Sequence, residues 1–206
     1  MKILLPVLIF IGLGLLMGAL LALASKLFAV KKDEKAEAIK ECLPGANCGG
    51  CGYSGCDAYA AAVSAGDAPV NKCSVGGAEA ASKIAQIMGV DAGEQVRMRA
   101  QVMCSGTGEY AKKKYIYEGI DDCVAASKIG GGDKMCKNGC IGLGTCVRAC
   151  PFDAIVVEDG VAAVDYSKCK GCGICVSACP KGIIKLIPFD AKHWVGCMSV
   201  DDGKNT

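Results

Sequence analysis

The sequence predicts an α+β chain in three parts: a single membrane-spanning helix at the N-terminus, a small and mainly helical domain, and a module made of two similar halves. Three observations predict this order. An uncharged run lies within the first 25 residues, a segment rich in cysteine and glycine lies at residues 43–73, and the segment beginning at Cys140 is repeated at Cys169, 29 residues later. With 206 residues, the chain has room for an anchor and two small domains but not for one large enzyme core.

The N-terminal run indicates a membrane span. From Ile3 to Ser25 there are 23 residues without a charge, and an α-helix needs about 20 apolar residues to cross a hydrocarbon core. The alternative is a secretory signal, because Ala22-Leu23-Ala24 resembles a cleavage site, but the apolar core of such a signal is shorter, at roughly 7 to 15 residues. Only Lys2 precedes the span, whereas four lysines follow it, at positions 26, 31, 32 and 35. The positive-inside rule therefore predicts a single-pass protein of the cell (inner) membrane with its domains on the cytoplasmic side.

Composition narrows the chemistry. The chain has 23 basic and 21 acidic residues, a balance that provides no basic face for nucleic acid and no acidic tail. Its 16 cysteines, placed in a reducing compartment, favour metal ligation over disulfides. Because His193 is the only histidine, zinc fingers with histidine pairs are excluded, and thiolate is the expected soft ligand.

The predicted boundaries divide the chain into five segments. They are an anchor at 1–30, a four-cysteine domain at 31–90, an insertion or linker at 91–133, the two-half module at 134–190 and a tail at 191–206. In the four-cysteine domain, the charged residues 33–41 predict a solvated stalk helix. Residues 57–65 and 78–88 predict two further helices, which Gly66 and Gly89 terminate.

Strands are predicted in the insertion and in the module. In the insertion, alternating residues from Val96 to Val102 predict a strand that pairs with Tyr115–Tyr117 across a turn near Gly106. A flexible joint at 130–132 closes the insertion. In the module, the apolar segments 155–158 and 161–164 flank Asp159-Gly160, a dipeptide that favours a two-residue hairpin turn.

The second half of the module carries a specific cluster motif, Cys169-x2-Cys172-x2-Cys175-x3-Cys179-Pro180. In this motif three closely spaced cysteines hold three corners of one [4Fe-4S] cluster, and the fourth ligates the neighbouring cluster. Zinc is the alternative, but structural zinc sites pair two short cysteine motifs instead of running four cysteines together. The motif therefore predicts a two-cluster module like a bacterial ferredoxin.

The first half lacks one cysteine of this motif. Leu143 occupies the position of the second cysteine, and Cys136 lies four residues before Cys140. Either the cluster is lost and Cys136 is idle, or Cys136 replaces the missing ligand, which we predict because a [4Fe-4S] cluster of this type uses four thiolates. The predicted ligand sets are Cys136, Cys140, Cys146 and Cys179 for one cluster, and Cys150, Cys169, Cys172 and Cys175 for the other.

The domain at 31–90 carries a second kind of motif, with glycines placed among its cysteines. The cysteines are Cys48, Cys51, Cys56 and Cys73. Glycines let the backbone approach closely and direct N–H groups at an anionic guest, and Cys56 opens a predicted helix whose positive end favours thiolate. The glycines at 50, 52 and 55 also match a dinucleotide-binding fingerprint, but no predicted strand precedes them, so we reject that interpretation.

These residues also support a family resemblance. The segment Leu43-Pro44-Gly45-Ala46-Asn47-Cys48-Gly49-Gly50-Cys51-Gly52-Tyr53-Ser54-Gly55-Cys56, with Asn71-Lys72-Cys73 and Gly76-Gly77, resembles the four-cysteine domain of the B subunit of the Rnf ferredoxin:NAD oxidoreductase complex. The order of anchor, cluster domain and ferredoxin-like module matches as well. The resemblance implies that Cys48, Cys51, Cys56 and Cys73 hold one cluster, so that the chain carries three [4Fe-4S] clusters in all.

The resemblance implies a function for the whole chain. It would be a membrane-anchored electron-transfer subunit without a catalytic site of its own, and the entry point for electrons from soluble reduced ferredoxin. Its partners would be other Rnf-type membrane and flavin-bearing subunits of a translocase that reduces NAD and moves sodium ions or protons. Two alternatives remain: a ferredoxin-like subunit of another membrane oxidoreductase, and a zinc-stabilised scaffold without a redox role.

Four cysteines are left without a role: Cys42, Cys104, Cys123 and Cys197. We expect reduced thiols, because their spacing matches no compact ligand motif, and a fourth cluster is the alternative. The region around Cys104 and Cys123 resembles only some members of the family. The sequence also stops soon after Cys197, where other members carry further ferredoxin-like repeats.

Overall fold

The computed structural model describes residues 4–27 and 33–200, which form two units. The first unit contains helix α1 (Leu4–Leu27). Within α1, the 20 residues Val7–Lys26 have a mean hydropathy of 2.7 and are long and apolar enough to cross a membrane. The predicted helix over the uncharged run is thus confirmed from Leu4 onward. Lys2, Ile3, Lys31, Lys32 and the last six residues of the predicted tail lie outside the described residues.

The second unit begins with three helices: α2 (Glu34–Cys42), α3 (Cys56–Ser64) and α4 (Gly77–Met88). They pack around Ile39, Tyr59 and Ile84, which are almost completely buried. The helices that we predicted at 57–65 and 78–88 are confirmed to within one residue. The predicted helix at 33–41 is also present, but it is not a solvated stalk, because Ile39 packs into the core that α3 and α4 share.

The hairpin of the module is confirmed. Strand β2 (Ile155–Glu158) pairs antiparallel with β3 (Val161–Val164), and Glu158 lies opposite Val161. Both residues of the connecting turn have a positive φ, 46° at Asp159 and 74° at Gly160. This backbone shape fits the right-handed twist of the two strands, and Asp-Gly is a favoured sequence for it.

The predicted pairing of the strand near Val96 was wrong. Strand β1 (Met98–Val102) pairs antiparallel with β4 (Ile184–Pro188), with Val102 opposite Ile184. Residues 115–117 form no strand, and the nearby pairing is a single bridge between Lys113 and Lys134. Because β1 supplies the partner of β4, it packs as part of the ferredoxin-like module and not as part of a separate insertion. The remaining domain boundaries stay predictions.

The repeat is visible as a pseudo-symmetric arrangement of four strands and two short helices. Helix α6 (Thr145–Arg148) follows the first cysteine loop, and α7 (Ile174–Ala178) follows the second. Strands β1 and β2 flank the first loop and helix, while β3 and β4 flank the second. Ile155 and Ile184, which correspond in the repeat, are both buried in the shared core. The chain between β1 and the first loop contains one more helix, α5 (Cys123–Ser127).

Candidate iron–sulfur cluster sites

The four-cysteine domain contains a cavity that Cys48, Cys51, Cys56 and Cys73 line together, which we call the N-terminal cavity. Cys56 is the first residue of α3, and its backbone N–H donates to the side-chain oxygen of Asn47 at 2.8 Å. The Sγ atom of Cys73 accepts the backbone N–H of Gly76 at 3.3 Å. A helix N-terminus and backbone N–H donors both favour a negatively charged guest.

Tyr59 holds the loop that brings Cys73 to this cavity. Its buried hydroxyl donates to the carbonyl oxygen of Pro69 at 2.7 Å and accepts the backbone N–H of Lys72 at 3.1 Å. Burial raises the pKa of Tyr59 to about 12, so the hydroxyl stays protonated near neutral pH and keeps both bonds. The residue before Cys73 is thereby tied to the helix that begins at Cys56.

The second half of the module contains a cavity lined by Cys150, Cys169, Cys172 and Cys175, which we call the second-half cavity. These are the four cysteines that the repeat assigned to one cluster. The backbone N–H of Ala100 in β1 donates to Sγ of Cys169 at 3.4 Å. Burial raises the pKa of Cys175 to about 12, and the other three thiols of the cavity add to the rise.

The first half contains the corresponding cavity, but with a different fourth cysteine. Cys140, Cys146 and Cys179, which the repeat assigned to one cluster, line it together with Cys123, and we call it the first-half cavity. Burial raises the pKa of Cys146 to about 11, and the nearby thiols of Cys140, Cys123 and Cys179 add to the rise. The structure does not bring Cys136, our predicted substitute ligand, into this cavity.

Helix α5 positions Cys123. The Asp122 carboxylate caps α5 by accepting the backbone N–H of Ala125 at 2.9 Å and also accepts the hydroxyl of Thr145, the first residue of α6, at 2.9 Å. The oxygen of Thr145 in turn accepts the backbone N–H of Cys123 at 2.7 Å. These bonds fix Cys123 against the first cysteine loop. An aspartate before a short helical run is a cap signal that the sequence did contain, but cysteine spacing alone gave no reason to use it.

Cys136 lies elsewhere, in a cavity of about 500 Å³ that Cys104 and Cys197 also line. We call it the three-cysteine cavity. Cys42, in α2, lines none of these four cavities, and its Sγ donates to the carbonyl oxygen of Ala38 at 3.4 Å. Geometry therefore separates Cys136 from the set to which spacing had assigned it. The reason is local, because the chain turns between Cys136 and Gly139 and so leaves Cys136 and Cys140 in different cavities.

The N-terminal and second-half cavities are in contact. At Gly50, a Cβ atom would stand only 2.6 Å from the carbonyl oxygen of Cys172 and 2.9 Å from its Cβ. Burial raises the pKa of the Cys172 thiol, and the nearby Cys48 adds to the rise. One cysteine of each cavity thus lies at the same interface, with no side chain at position 50 to separate them.

The donor sets fit iron–sulfur clusters. Three cavities each collect four cysteines from loops rich in glycine, and four thiolates brought together repel one another unless a cation balances them. Among the described residues, no three His, Cys, Asp or Glu side chains are arranged to hold a single metal ion. The fold and these sites define the class: an iron–sulfur protein with a two-cluster ferredoxin-like module.

Comparison with protein families supports the same division. The FeS family model, which describes an Fe-S cluster domain, matches residues 43–75. The 4Fe-4S binding domain model matches residues 137–156 and 162–185. The first of these two matches begins just after Cys136, so it includes Cys140, Cys146 and Cys150 only.

Similar curated proteins specify the family, and each is the B subunit of a membrane complex. The chain is 48% identical over 203 residues to that of the Na(+)-translocating ferredoxin:NAD(+) oxidoreductase complex of Acetobacterium woodii, an alignment that covers 98% of this chain and 61% of the relative. It is 43% identical over 193 residues to that of the proton-translocating ferredoxin:NAD(+) oxidoreductase complex of Clostridium ljungdahlii, covering 93% and 68%. For the ion-translocating oxidoreductase complex of Methanosarcina acetivorans, the identity is 41% over 155 residues, covering 75% and 59%.

The chain belongs to the family of B subunits of Rnf-type ion-translocating oxidoreductase complexes. It spans about three fifths of the length of the Acetobacterium woodii relative.

Proposed function

We propose that this chain is the membrane-anchored electron-transfer subunit of an Rnf-type complex and holds three [4Fe-4S] clusters that relay single electrons. The observation that carries the proposal is the set of three cavities, each lined by four cysteines. When bound, such clusters supply one-electron chemistry, and the protein sets their position and surroundings. The chain itself needs no substrate pocket for this role.

The ligand sets follow the cavities. The N-terminal cluster is held by Cys48, Cys51, Cys56 and Cys73. The second-half cluster is held by Cys150, Cys169, Cys172 and Cys175. The first-half cluster is held by Cys123, Cys140, Cys146 and Cys179, with Cys123 in the role that spacing had suggested for Cys136.

The contacts between cavities support an order for the relay. The approach of Gly50 to Cys172 puts the N-terminal cluster next to the second-half cluster. The two ferredoxin-like clusters are linked by exchange of ligands, because Cys150 follows the first loop but lines the second-half cavity, and Cys179 does the reverse. Electrons would therefore pass between the N-terminal and first-half clusters by way of the second-half cluster.

The relatives suggest the partners. Two of them are named as parts of ferredoxin:NAD(+) oxidoreductase complexes, one Na(+)-translocating and one proton-translocating. By this analogy, soluble reduced ferredoxin donates electrons to the chain, and flavin-bearing and membrane subunits of the complex carry them toward NAD while sodium ions or protons are moved. The α1 helix would attach the chain to the membrane beside those subunits, with the cluster domains in the cytoplasm.

Electron transfer from ferredoxin tests the proposal directly. The full chain, purified anaerobically in detergent, is mixed with chemically reduced two-cluster ferredoxin, and bleaching of its iron–sulfur absorbance is followed. We expect reduction of the wild-type chain and a marked loss of reduction in Cys51→Ala, which removes a ligand of the N-terminal cluster. A brown chain that reduced ferredoxin cannot bleach would refute the role as electron acceptor, and a colourless chain containing zinc would indicate a scaffold instead.

A further inference from the structure

The three-cysteine cavity is lined by thiols that no proposed cluster uses. Cys104 follows strand β1, Cys136 precedes the first cysteine loop, and Cys197 lies beyond strand β4. The sequence separates these residues widely, and the fold gathers them around one cavity of about 500 Å³. The cavity is therefore a product of the β1–β4 pairing, which brings the two ends of the module together.

The sulfur atoms of this cavity accept hydrogen bonds from the backbone. Sγ of Cys104 accepts the N–H of Gly106 at 3.4 Å and the N–H of Cys140 at 3.3 Å. Sγ of Cys197 accepts the N–H of Ser199 at 3.3 Å. Such N–H donors stabilise a thiolate and tune the potential of a cluster bound to it.

Other cysteines of the chain show that this environment is selective. Cys73 and Cys169, which belong to four-cysteine cavities, also accept backbone N–H groups. Cys42 lies in a helix and does the opposite, because its thiol donates to the carbonyl oxygen of Ala38. In this respect Cys104 and Cys197 resemble the cluster ligands and differ from the ordinary helical thiol.

A buried cation lies beside the cavity. Lys134 is only 5% exposed, and its ammonium group donates to the carbonyl oxygens of Gly106 and Gly160, each at 2.7 Å. Gly106 itself lines the cavity. Within the described part of the chain, Lys134 has no carboxylate at ion-pair distance. Burying a charge without a counter-charge is costly, and an anionic group in the cavity would offset that cost.

We propose that the cavity holds a fourth iron–sulfur cluster, bound by the thiolates of Cys104, Cys136 and Cys197, in addition to the three clusters of the proposed function. Three thiolates hold three irons, and the fourth iron faces the open part of the cavity. A single zinc ion does not suit the site, because zinc needs its ligands at about 2.3 Å and no described group of three side chains is arranged for one ion. The hydrogen bond from Cys140 to Cys104 joins this site to the first-half cluster, with which it would exchange one electron at a time.

The iron content tests the proposal. Anaerobically purified full chain should contain about 16 irons for four [4Fe-4S] clusters, or about 15 if the iron without a thiolate is lost. A content of about 12 irons would mean three clusters and would overturn the proposal. That result would leave the three-cluster function intact, whereas failure of the proposed function would appear as a chain that reduced ferredoxin cannot reduce.

Paired variants decide which cysteines share a cluster. Cys136→Ala should lose about four irons and one reduced-state paramagnetic signal, and Cys104→Ala with Cys136→Ala should lose no more than that. Cys123→Ala with Cys136→Ala should lose about eight, because the two cysteines serve different clusters. Cys42→Ala is the matched control and should lose none. Equal losses in Cys123→Ala, Cys136→Ala and their double variant would assign both residues to one cluster and overturn the proposal.

Native alkylation gives an answer that does not depend on variants folding. The Cys197 side chain is exposed, so a free thiol there would react at once with iodoacetamide. We expect mass spectrometry of the anaerobic wild-type chain to find Cys104, Cys136 and Cys197 protected, and chelation of the iron to make all three reactive. Rapid alkylation of Cys197 in the iron-loaded chain would contradict the assignment.

Discussion

Gly50 lies directly against the backbone of Cys172, so that a Cβ atom at position 50 would stand 2.6 Å from the Cys172 carbonyl oxygen. Its φ is not in the positive range that requires glycine, so the constraint is one of space and not of backbone conformation. The contact joins two loops that each carry cysteines of a different cavity. The absence of a side chain at this position therefore sets how closely two clusters approach.

Gly50→Ala should push the two loops apart. Overpacking of this kind costs about 1 to 3 kcal/mol, and we expect a slower transfer of electrons between the N-terminal and second-half clusters. Weaker magnetic coupling between their reduced paramagnetic signals would report the larger separation. Gly108→Ala is the control, since a Cβ there has no atom within 4 Å. Unchanged coupling in Gly50→Ala would show that the loops accommodate the methyl group.

Cys123→Ala should remove the first-half cluster and leave the other clusters in place. Leu143 packs with Cys123 and occupies the position of the absent cysteine of the motif, so Cys123→Ala with Leu143→Cys should restore the ordinary spacing and the lost cluster. Iron analysis and paramagnetic resonance measure both results. If the double variant recovers nothing while the other clusters persist, Leu143 does not face the iron that Cys123 serves.

Lys134→Met should destabilise the module, because it leaves the carbonyl oxygens of Gly106 and Gly160 without their shared donor. Hydrogen bonds to a charged group contribute about 1.5 to 3 kcal/mol each, and relief of the buried charge offsets part of the loss, so we expect a net cost of about 1 to 3 kcal/mol. The urea midpoint, measured anaerobically by circular dichroism, checks this. The exposed Lys192→Met should shift the midpoint little.

Tyr59→Phe should loosen the loop before Cys73. The change removes a buried hydroxyl that bonds Pro69 and Lys72, and leaving such partners unsatisfied costs about 1 to 3 kcal/mol. We expect the N-terminal cluster to be lost faster in the presence of an iron chelator, with the ferredoxin-like clusters unaffected. Tyr53→Phe, which keeps a ring against Tyr59, should behave like the wild-type chain.

The lysines after α1 predict cytoplasmic cluster domains. A cysteine introduced near Thr206, in a chain whose other exposed thiols are accounted for by the wild-type control, should react with an impermeant maleimide in inverted vesicles. It should not react in intact cells. Labelling in intact cells would place the domains on the other side of the membrane.

Local signals in the sequence were sufficient for some elements and not for others. The turn at Asp159-Gly160 was predictable because two adjacent residues determine its backbone shape. The partner of β1 was not, because Tyr115–Tyr117 offered a nearby candidate, whereas the true partner, β4, lies more than 80 residues away in sequence. The burial of Ile39 was hidden by its charged neighbours in α2.

The same distinction holds for the candidate site. Eleven of the twelve predicted ligands line a cavity with the partners that the motifs assigned to them. They do so because these cysteines lie in short loops whose spacing limits where the sulfur atoms can be. The fourth cysteine of the first-half cavity comes from a different helix, and its position depends on the bonds among Asp122, Cys123 and Thr145. Such tertiary contacts leave no periodic trace in a sequence.

The pairing of β1 with β4 also orders events during synthesis. The chain leaves the ribosome from its N-terminus, so β1 waits while the cysteine loops emerge, and its partner, Ile184–Pro188, comes last. Contacts between residues so far apart in sequence form slowly. Every cysteine from Cys104 to Cys179 is therefore made before the strand that closes the sheet, and the loops stand open to cellular iron–sulfur assembly factors until β4 docks.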